Sequence, residues 1–367
     1  MHLKYVLSTL ATASALSCAP AHAAPVADPM GRPAMMVRAP DKAFLDGLAH
    51  AGKRLVAVGE HGIIVWSDDD GRSWRQAKVP TSVTLTAVQF PTPRQGWAVG
   101  HSGVVLHSED GGETWSRQLD GVEAARLALR DARASGEGAA AARAVADARR
   151  LVQDGPDKPF LALHFRDALD GFIVGAYNLA FRTRDGGKTW TSVMGQLDNP
   201  KGNHLYAVQG SGETIYIAGE QGLVLRSTDA GRRFERLDTG YNGSFFAMAL
   251  PDAHGVVLAG LRGNAYRSLD GGTTWDKLDA PAPVSITAIA NRGAGALLLA
   301  NQAGQLFELR PASRALVPLK APALPPLNDI VAAADGSIVA ASVAGTVRLP
   351  AAGVPVAAAS PVSITEK

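Results

Sequence analysis

Cysteine is almost absent from this chain: Cys18 is the single one in 367 residues. One thiol excludes an intrachain disulfide. Excess charge of one sign is also missing, with 36 Lys plus Arg against 34 Asp plus Glu and a formal charge of +2. That balance argues against a protein built to coat nucleic acid or anionic lipid. After the first twenty residues no run is apolar and long enough to span a bilayer. No Gly-x-Gly-x-x-Gly fingerprint, phosphate loop, His-Glu-x-x-His or Gly-x-Ser-x-Gly elbow occurs. What is present is 46% apolar residues, 39 glycines and 22 prolines. The composition excludes a disordered chain and favours a turn-rich all-β fold.

The first segment reads as a targeting signal. Met1-His2-Leu3-Lys4 is a short basic start, Tyr5 to Leu16 is apolar, and Ala21-His22-Ala23 is a small-x-small site with cleavage expected before Ala24. Residues 1–23 are therefore expected to leave on export to a periplasm. A lipoprotein signal through Leu16-Ser17-Cys18 is the weaker reading, because Ala15 stands where such a signal wants Leu. With cleavage before Ala24 the remaining chain has no cysteine.

The remainder, 24–367, is one motif repeated seven times. Its key position is Gly62, Gly103, Asn178, Gly222, Gly263, Gly304 and Gly345. The steps are 41, 75, 44, 41, 41 and 41 residues, a period typical of four-stranded blades. The long step is one period plus 34 residues. Within each repeat, short apolar or alternating runs separated by Gly, Pro and Asp read as four strands. In the second repeat these are Leu85 to Phe90, Gly96 to Gly100, Val104 to Ser108 and Trp115 to Leu119. The Gly-x-x-Gly between strands two and three is a tight hairpin needing positive φ, and Asn178 is the residue that best replaces Gly there.

A second motif follows strand three. It reads Ser67-Asp68-Asp69-Asp70-Gly71-Arg72-Ser73-Trp74 and recurs around Asp110 and Trp115, Asp185 and Trp190, Asp229 and Phe234, and Asp270 and Trp275. This is the Asp-box, or BNR, pattern. The carboxylate is expected to accept backbone N–H bonds across the turn, and Ser or Thr hydroxyls to close it. The aromatic residue is expected to wedge against the next blade. Asp68-Asp69-Asp70-Gly71 lacks the later bidentate acid of a calcium loop.

Seven such sheets bury their faces only against one another, which predicts an all-β, seven-bladed β-propeller with four-stranded blades. The last repeat lacks an outer strand. Ala34 to Arg38 is the expected supplier, with Val354 to Ala358 as the alternative; the tail from 352 to 367 otherwise reads as loose. The insertion, about 120–156, reads as a helical hairpin, Val122 to Ala134 and Ala139 to Gln153, with 12 alanines and six arginines between 122 and 153. Val145, Ala148, Leu151 and Val152 give its second helix a narrow apolar face.

Gly96-Trp97-Ala98-Val99-Gly100, then Gly103-Val104-Val105-Leu106 and Ser108-Glu109-Asp110-Gly111-Gly112-Glu113-Thr114-Trp115, resembles the photosystem II assembly and stability factors known as YCF48/HCF136. The resemblance covers 24–367 apart from the helical insertion. It implies a non-catalytic lumenal or periplasmic scaffold that helps assemble a membrane complex. In the photosynthetic members it implies a newly made reaction-centre protein as partner; here the client is an unnamed membrane or envelope protein. Neither cofactor nor metal nor nucleic acid is expected, and the chain reads as a monomer.

The Asp-box also resembles sialidases. No Arg-Ile-Pro-like landmark precedes the first box, and Arg32-Pro33 and Arg38-Ala39-Pro40 do not match it. An inverting glycosidase needs two facing carboxylates, and Glu60 and Glu220, in equivalent hairpins, are the pair to examine. A carbohydrate-binding propeller without catalysis is the third reading. In all three the hairpin face carries the work, and it gathers Glu60, His61, His101, Tyr177, Glu220, Gln221 and Arg262. His61, His101 and Glu60 show no sign of converging on a metal. His164, His204 and His254 read as framework residues.

Overall fold

The computed structural model describes residues 28–351. The signal segment, Cys18 and Val354 to Ala358 lie outside them. Seven antiparallel sheets follow in chain order, each with its strands in sequence order. Blade one is Leu45–Ala51, Arg54–Gly59, Ile64–Ser67 and Arg75–Gln76. Blades two to six begin at Leu85, Phe160, Leu205, Phe245 and Ile286, and each has four strands. Blade seven has three: Leu327–Ala332, Ile338–Ser342 and Gly345–Leu349. The second strands are buried almost throughout, because both faces of each sheet are covered by neighbours. Apolar clusters accordingly form between blades rather than inside them, as where Val56 and Trp66 of blade one meet Val88 and Leu106 of blade two.

The inner strands adjoin one another all the way round, including blade seven on blade one. Ala34 to Arg38 does not supply the missing strand. The segment instead runs along blade one: the Ala34 amide donates to the Val79 carbonyl, and Gln76 bonds the Val37 amide and the Met35 carbonyl. Met30 and Ala34 pack on the cluster between blades one and two, so this end of the chain is already engaged. The ring closes instead by face packing and side-chain bonds. Leu48, Leu55 and Val65 of blade one meet Val331 and Val339 of blade seven. The Asn328 amide donates to the Leu45 carbonyl at 2.9 Å, and Asp329 accepts from the Leu48 amide at 2.8 Å. On the opposite face Arg348 donates to the Asp70 carbonyl. Arg182 and Arg226 make the same kind of bond to the next blade, to Ala230 and Gly271.

The Asp-boxes behave as corners. In blade two the Asp110 carboxylate accepts from the Glu113 and Thr114 amides at 3.0 Å, and the Ser108 hydroxyl accepts from Gly112. The bonds recur around Asp69, Asp185, Asp229 and Asp270. The Thr274 hydroxyl, and then the Thr274 amide, hold Asp270 down to about 2. The aromatic wedge points the other way from expectation. Trp74, Trp115, Trp190, Phe234 and Trp275 each pack toward the preceding blade, as Trp115 does onto the blade one cluster. The corner folds back across the sheet edge before the outer strand begins, which fixes that direction.

The insertion forms helices Gly121–Ala134 and Ala139–Asp154. Asp120 caps the first through the Val122 and Glu123 amides. Ala124, Ala128 and Ala148 are buried on the cluster between blades two and three, with Leu151 half-buried beside them, whereas Val152 stays exposed. Asp131 accepts from the Ser192 amide of blade three, and Arg143 donates to Pro200. The hairpin is therefore pinned to the propeller.

Truncating Trp115 to Ala should cost about 3–5 kcal/mol in urea unfolding, because a buried indole leaves a cavity between two sheets. The seam has its own pH signature. Burial pushes Asp329 up to about 7, with the Asp46 charge adding to it. A carboxyl raised on folding gives its full stabilisation below the unfolded carboxylate range, and that stabilisation is lost as pH climbs through about 7. Wild type should therefore gain melting temperature relative to Asp329→Asn as pH falls from about 8 to about 5.

Candidate functional site

The hairpin face is built from one repeated turn. His61, Ser102, Tyr177, Gln221 and Arg262 all have φ between 52° and 56°, and each precedes a second positive-φ residue. Two left-handed residues in a row make a type I′ hairpin, which matches the twist of the flanking strands. The second residue is Gly for a further reason: a Cβ at Gly62, Gly222 or Gly263 would strike the carbonyl of Thr81, Tyr241 or Ala282 in the crossover to the next blade. At Gly345 the carbonyl is that of Asp41, just before blade one. Hairpins and crossovers thus share a face, and the chain ahead of blade one occupies the crossover position for blade seven. Asn178 takes the Gly place by bonding the crossover instead: its side chain donates to Met194 and accepts from Asn199.

Of the residues expected on this face, His61, His101, Tyr177, Gln221 and Arg262 are exposed. His61, His101 and Arg262 stand each on its own blade's turn. Gln221 accepts from Lys201 at 3.0 Å. Glu60 and Glu220 are half-buried and engaged within their own blades: Glu60 accepts from the Phe44 amide at 3.3 Å, and Glu220 from the His204 amide at 2.8 Å and the Tyr206 hydroxyl at 3.3 Å. Both carboxylates therefore fasten the start of an inner strand. These bonds give Glu60 and Glu220 a structural role on the face where the sequence reading lists them as partner-binding candidates and, in the glycosidase alternative, as a facing pair. Among the described residues no three His, Cys, Asp or Glu side chains gather as a metal set.

Tyr177 has a different setting. It is 59% exposed, and its left-handed backbone is unusual for a bulky side chain. Its ring lies 4.6 Å from His204, His204 lies 6.1 Å from Tyr206, and Tyr206 lies 5.3 Å from Phe246. Lys158 sits 5.4 Å above the Tyr177 ring. An aromatic row therefore runs from the hairpin of blade three to the inner strand of blade five.

Sequence reasoning missed most of this row. His204 is part of it and not only framework, and Tyr206 and Phe246 went unnoticed. The signal was present in the period. Every inner strand has a bulge at its second residue: Asp46, Thr86, Leu161, Tyr206, Phe246, Thr287 and Asn328. Thr86 and Thr287 use that position to donate to the first residue of the next inner strand, Phe160 and Leu327, as Asn328 does to Leu45. The inner rim is consequently apolar and aromatic over blades three to five and polar over blades six, seven, one and two. His164 is framework as expected, and burial pulls it down to about 4.

A family model described as "Photosynthesis system II assembly factor YCF48" matches residues 66–138 and 143–342. The chain belongs to the YCF48 family. The match is interrupted at residues 139–142, within the helical insertion. A curated relative, "Photosystem II assembly lipoprotein Ycf48" of Synechococcus sp. (strain CC9902), is 34% identical over 77 residues, 21% of this chain and 23% of the relative. The match thus spans about a quarter of that relative's length. The solved structure of YCF48 from Cyanidioschyzon merolae is 14% identical with a TM-score of 0.60, covering 87% of this chain and 98% of that one. A streptogramin B lyase structure is 14% identical with a TM-score of 0.63, covering 85% and 94%. These structures share the propeller with this YCF48-family chain, and the second shows that the fold also serves an enzyme.

Two measurements probe this geometry. Burial, then the Glu220 charge, pushes the Tyr206 hydroxyl up to about 12. Glu220→Gln should bring one tyrosine back toward 10 in an ultraviolet titration, with burial retaining part of the rise. Ser102→Gly should be neutral or stabilising by up to about 1 kcal/mol in denaturant titration, since glycine carries no left-handed penalty.

Proposed function

We propose that this YCF48-family protein is an exported, non-catalytic scaffold that holds a membrane-protein client on its hairpin face. The family description, an assembly factor, supports the class of role. The relative's description as a lipoprotein supports a site of action at a membrane surface, and no helix among the described residues is long and apolar enough to cross one. The observation that carries the reading is the exposed Tyr177 joined to His204, Tyr206 and Phe246. Rigid aromatic side chains grouped on a polar surface are the usual anchors of a protein interface. Glu60 and Glu220 hold the rim in shape, whereas His61, His101, Gln221 and Arg262 form its polar border.

A photocrosslinking residue at Gln221, exposed on the hairpin of the adjacent blade, should capture one membrane protein from intact cells. Tyr177→Ala combined with Phe246→Ala should abolish capture with the melting temperature within a few degrees of wild type. Loss of neither capture nor stability would move the interface elsewhere. Tight glycan binding that depends on the same two rings, with no protein captured, would favour the carbohydrate-binding reading. Glycosidase turnover that vanishes in Glu60→Gln would favour an enzyme.

A further inference from the structure

Asn242-Gly243 is the one Asn-Gly pair in the sequence. It lies in the crossover from blade four to blade five, just ahead of the inner strand that begins at Phe245. The same two places hold Ser82-Val83 ahead of blade two and Pro283-Val284 ahead of blade six. Asn242 is exposed and lies outside helix and strand. A Cβ on Gly243 would stand 2.0 Å from the Tyr241 hydroxyl oxygen. That ring is held in place: it packs 5.2 Å from Phe245 and 5.4 Å from Tyr266, and its hydroxyl donates to the Leu261 carbonyl at 3.2 Å. Packing therefore keeps residue 243 glycine.

This crossover fastens two hairpins of the face. The Gly243 carbonyl accepts from the Gly222 amide at 2.7 Å, and the Ser244 carbonyl accepts from the Leu261 amide at 2.9 Å. Gly222 belongs to the turn of blade four that exposes Gln221, and Leu261 opens the turn of blade five. Asp110-Gly111 and Asp270-Gly271 are chemically related pairs, but their carboxylates are engaged by the amides of their own corners. Among the described residues no hydrogen bond occupies the Asn242 side chain or the Gly243 amide.

We propose that Asn242 is a covalent modification site: it deamidates spontaneously, and the isoaspartate product releases the hairpin of blade four. The Gly243 amide nitrogen attacks the side-chain carbonyl carbon of Asn242. The bond from that carbon to the side-chain nitrogen breaks, and ammonia leaves with the proton the backbone nitrogen gives up. Water then opens the resulting succinimide ring at either carbonyl, giving aspartate or isoaspartate, so no reactant besides water is consumed. A following glycine favours the attack, because no Cβ shields the nitrogen or restricts its approach. Both products add one negative charge to the face. Isoaspartate also routes the main chain through the side-chain carbon and lengthens it by one methylene. A hydrogen bond already at 2.7 Å tolerates no such displacement of its acceptor, so Gly222 loses its partner. The inference is independent of the partner-binding reading.

Folded protein aged in mildly alkaline oxygen-18 water should take up one heavy oxygen in the peptide that contains Asn242, and none at Asn264, which alanine follows. An isoaspartyl methyltransferase should then label that peptide and not those of Asp110 or Asp270. Exchange of the Gly222 amide should quicken at least about ten-fold in the isoaspartate-bearing protein relative to fresh protein. Asn242→Ser should take up no label there and keep its Gly222 exchange on ageing. Freshly purified Asn242→Asp carries the charge on a normal main chain and should stay within about two-fold of fresh wild type in Gly222 exchange. Aged wild type without label at Asn242, label spread equally to Asn264, or Gly222 exchange unchanged by isoaspartate would each overturn the proposal.

Discussion

No blade in this protein can bury its own two faces, and that single constraint organises the rest. A four-stranded sheet of five-residue strands has too little interior to be stable alone. Packed radially, it exchanges water for a neighbour on each side. The cross-blade bonds then set the alignment. Thr86, Thr287 and Asn328 on one face, and Arg182, Arg226 and Arg348 on the other, hold adjacent sheets at a fixed offset. The Asp-box corners complete the arrangement by turning an indole back onto the sheet before.

The same offset creates the rim on which a partner would sit. Because each inner strand bulges at its second residue, that residue is freed from sheet pairing and becomes available to vary. In four blades it is polar and in three it is Leu161, Tyr206 or Phe246. Variation at one repeated position thus gives a symmetric ring an asymmetric mouth. Tyr177 extends the aromatic side outward at the cost of a left-handed backbone, which the type I′ hairpin imposes on every residue at that place.

Blade number, hairpin glycines and both inserted helices were legible in the sequence, the helices to within a residue at each end. Glycine spacing reports backbone geometry directly, so it survives divergence of the side chains. The direction of the Trp115 wedge was not legible, because it depends on how the corner folds in three dimensions. Nor was the true place of Ala34 to Arg38, since an extended segment suits any free edge and only the competition between blades one and seven decides. The amide bonds of Glu60 and Glu220 were not legible either, because equivalent positions in two repeats do not tell which group of its own blade each carboxylate reaches. Asp329 was visible in principle. The third residue of the other inner strands is Gly47, Ala87, Ala162, Ala207, Ala247 and Ala288, so a carboxylate there breaks the pattern at the one junction where chain ends meet.

That junction also separates itself from the other six in time. Six of the interfaces join blades adjacent along the chain and can form as soon as both are made. The seventh joins Leu48 to Asp329, 281 positions apart, and the search for such a contact is slow because a long loop must close first. A chain made with its first blade foremost would therefore stand as an open arc and become a ring only once its last sheet arrived.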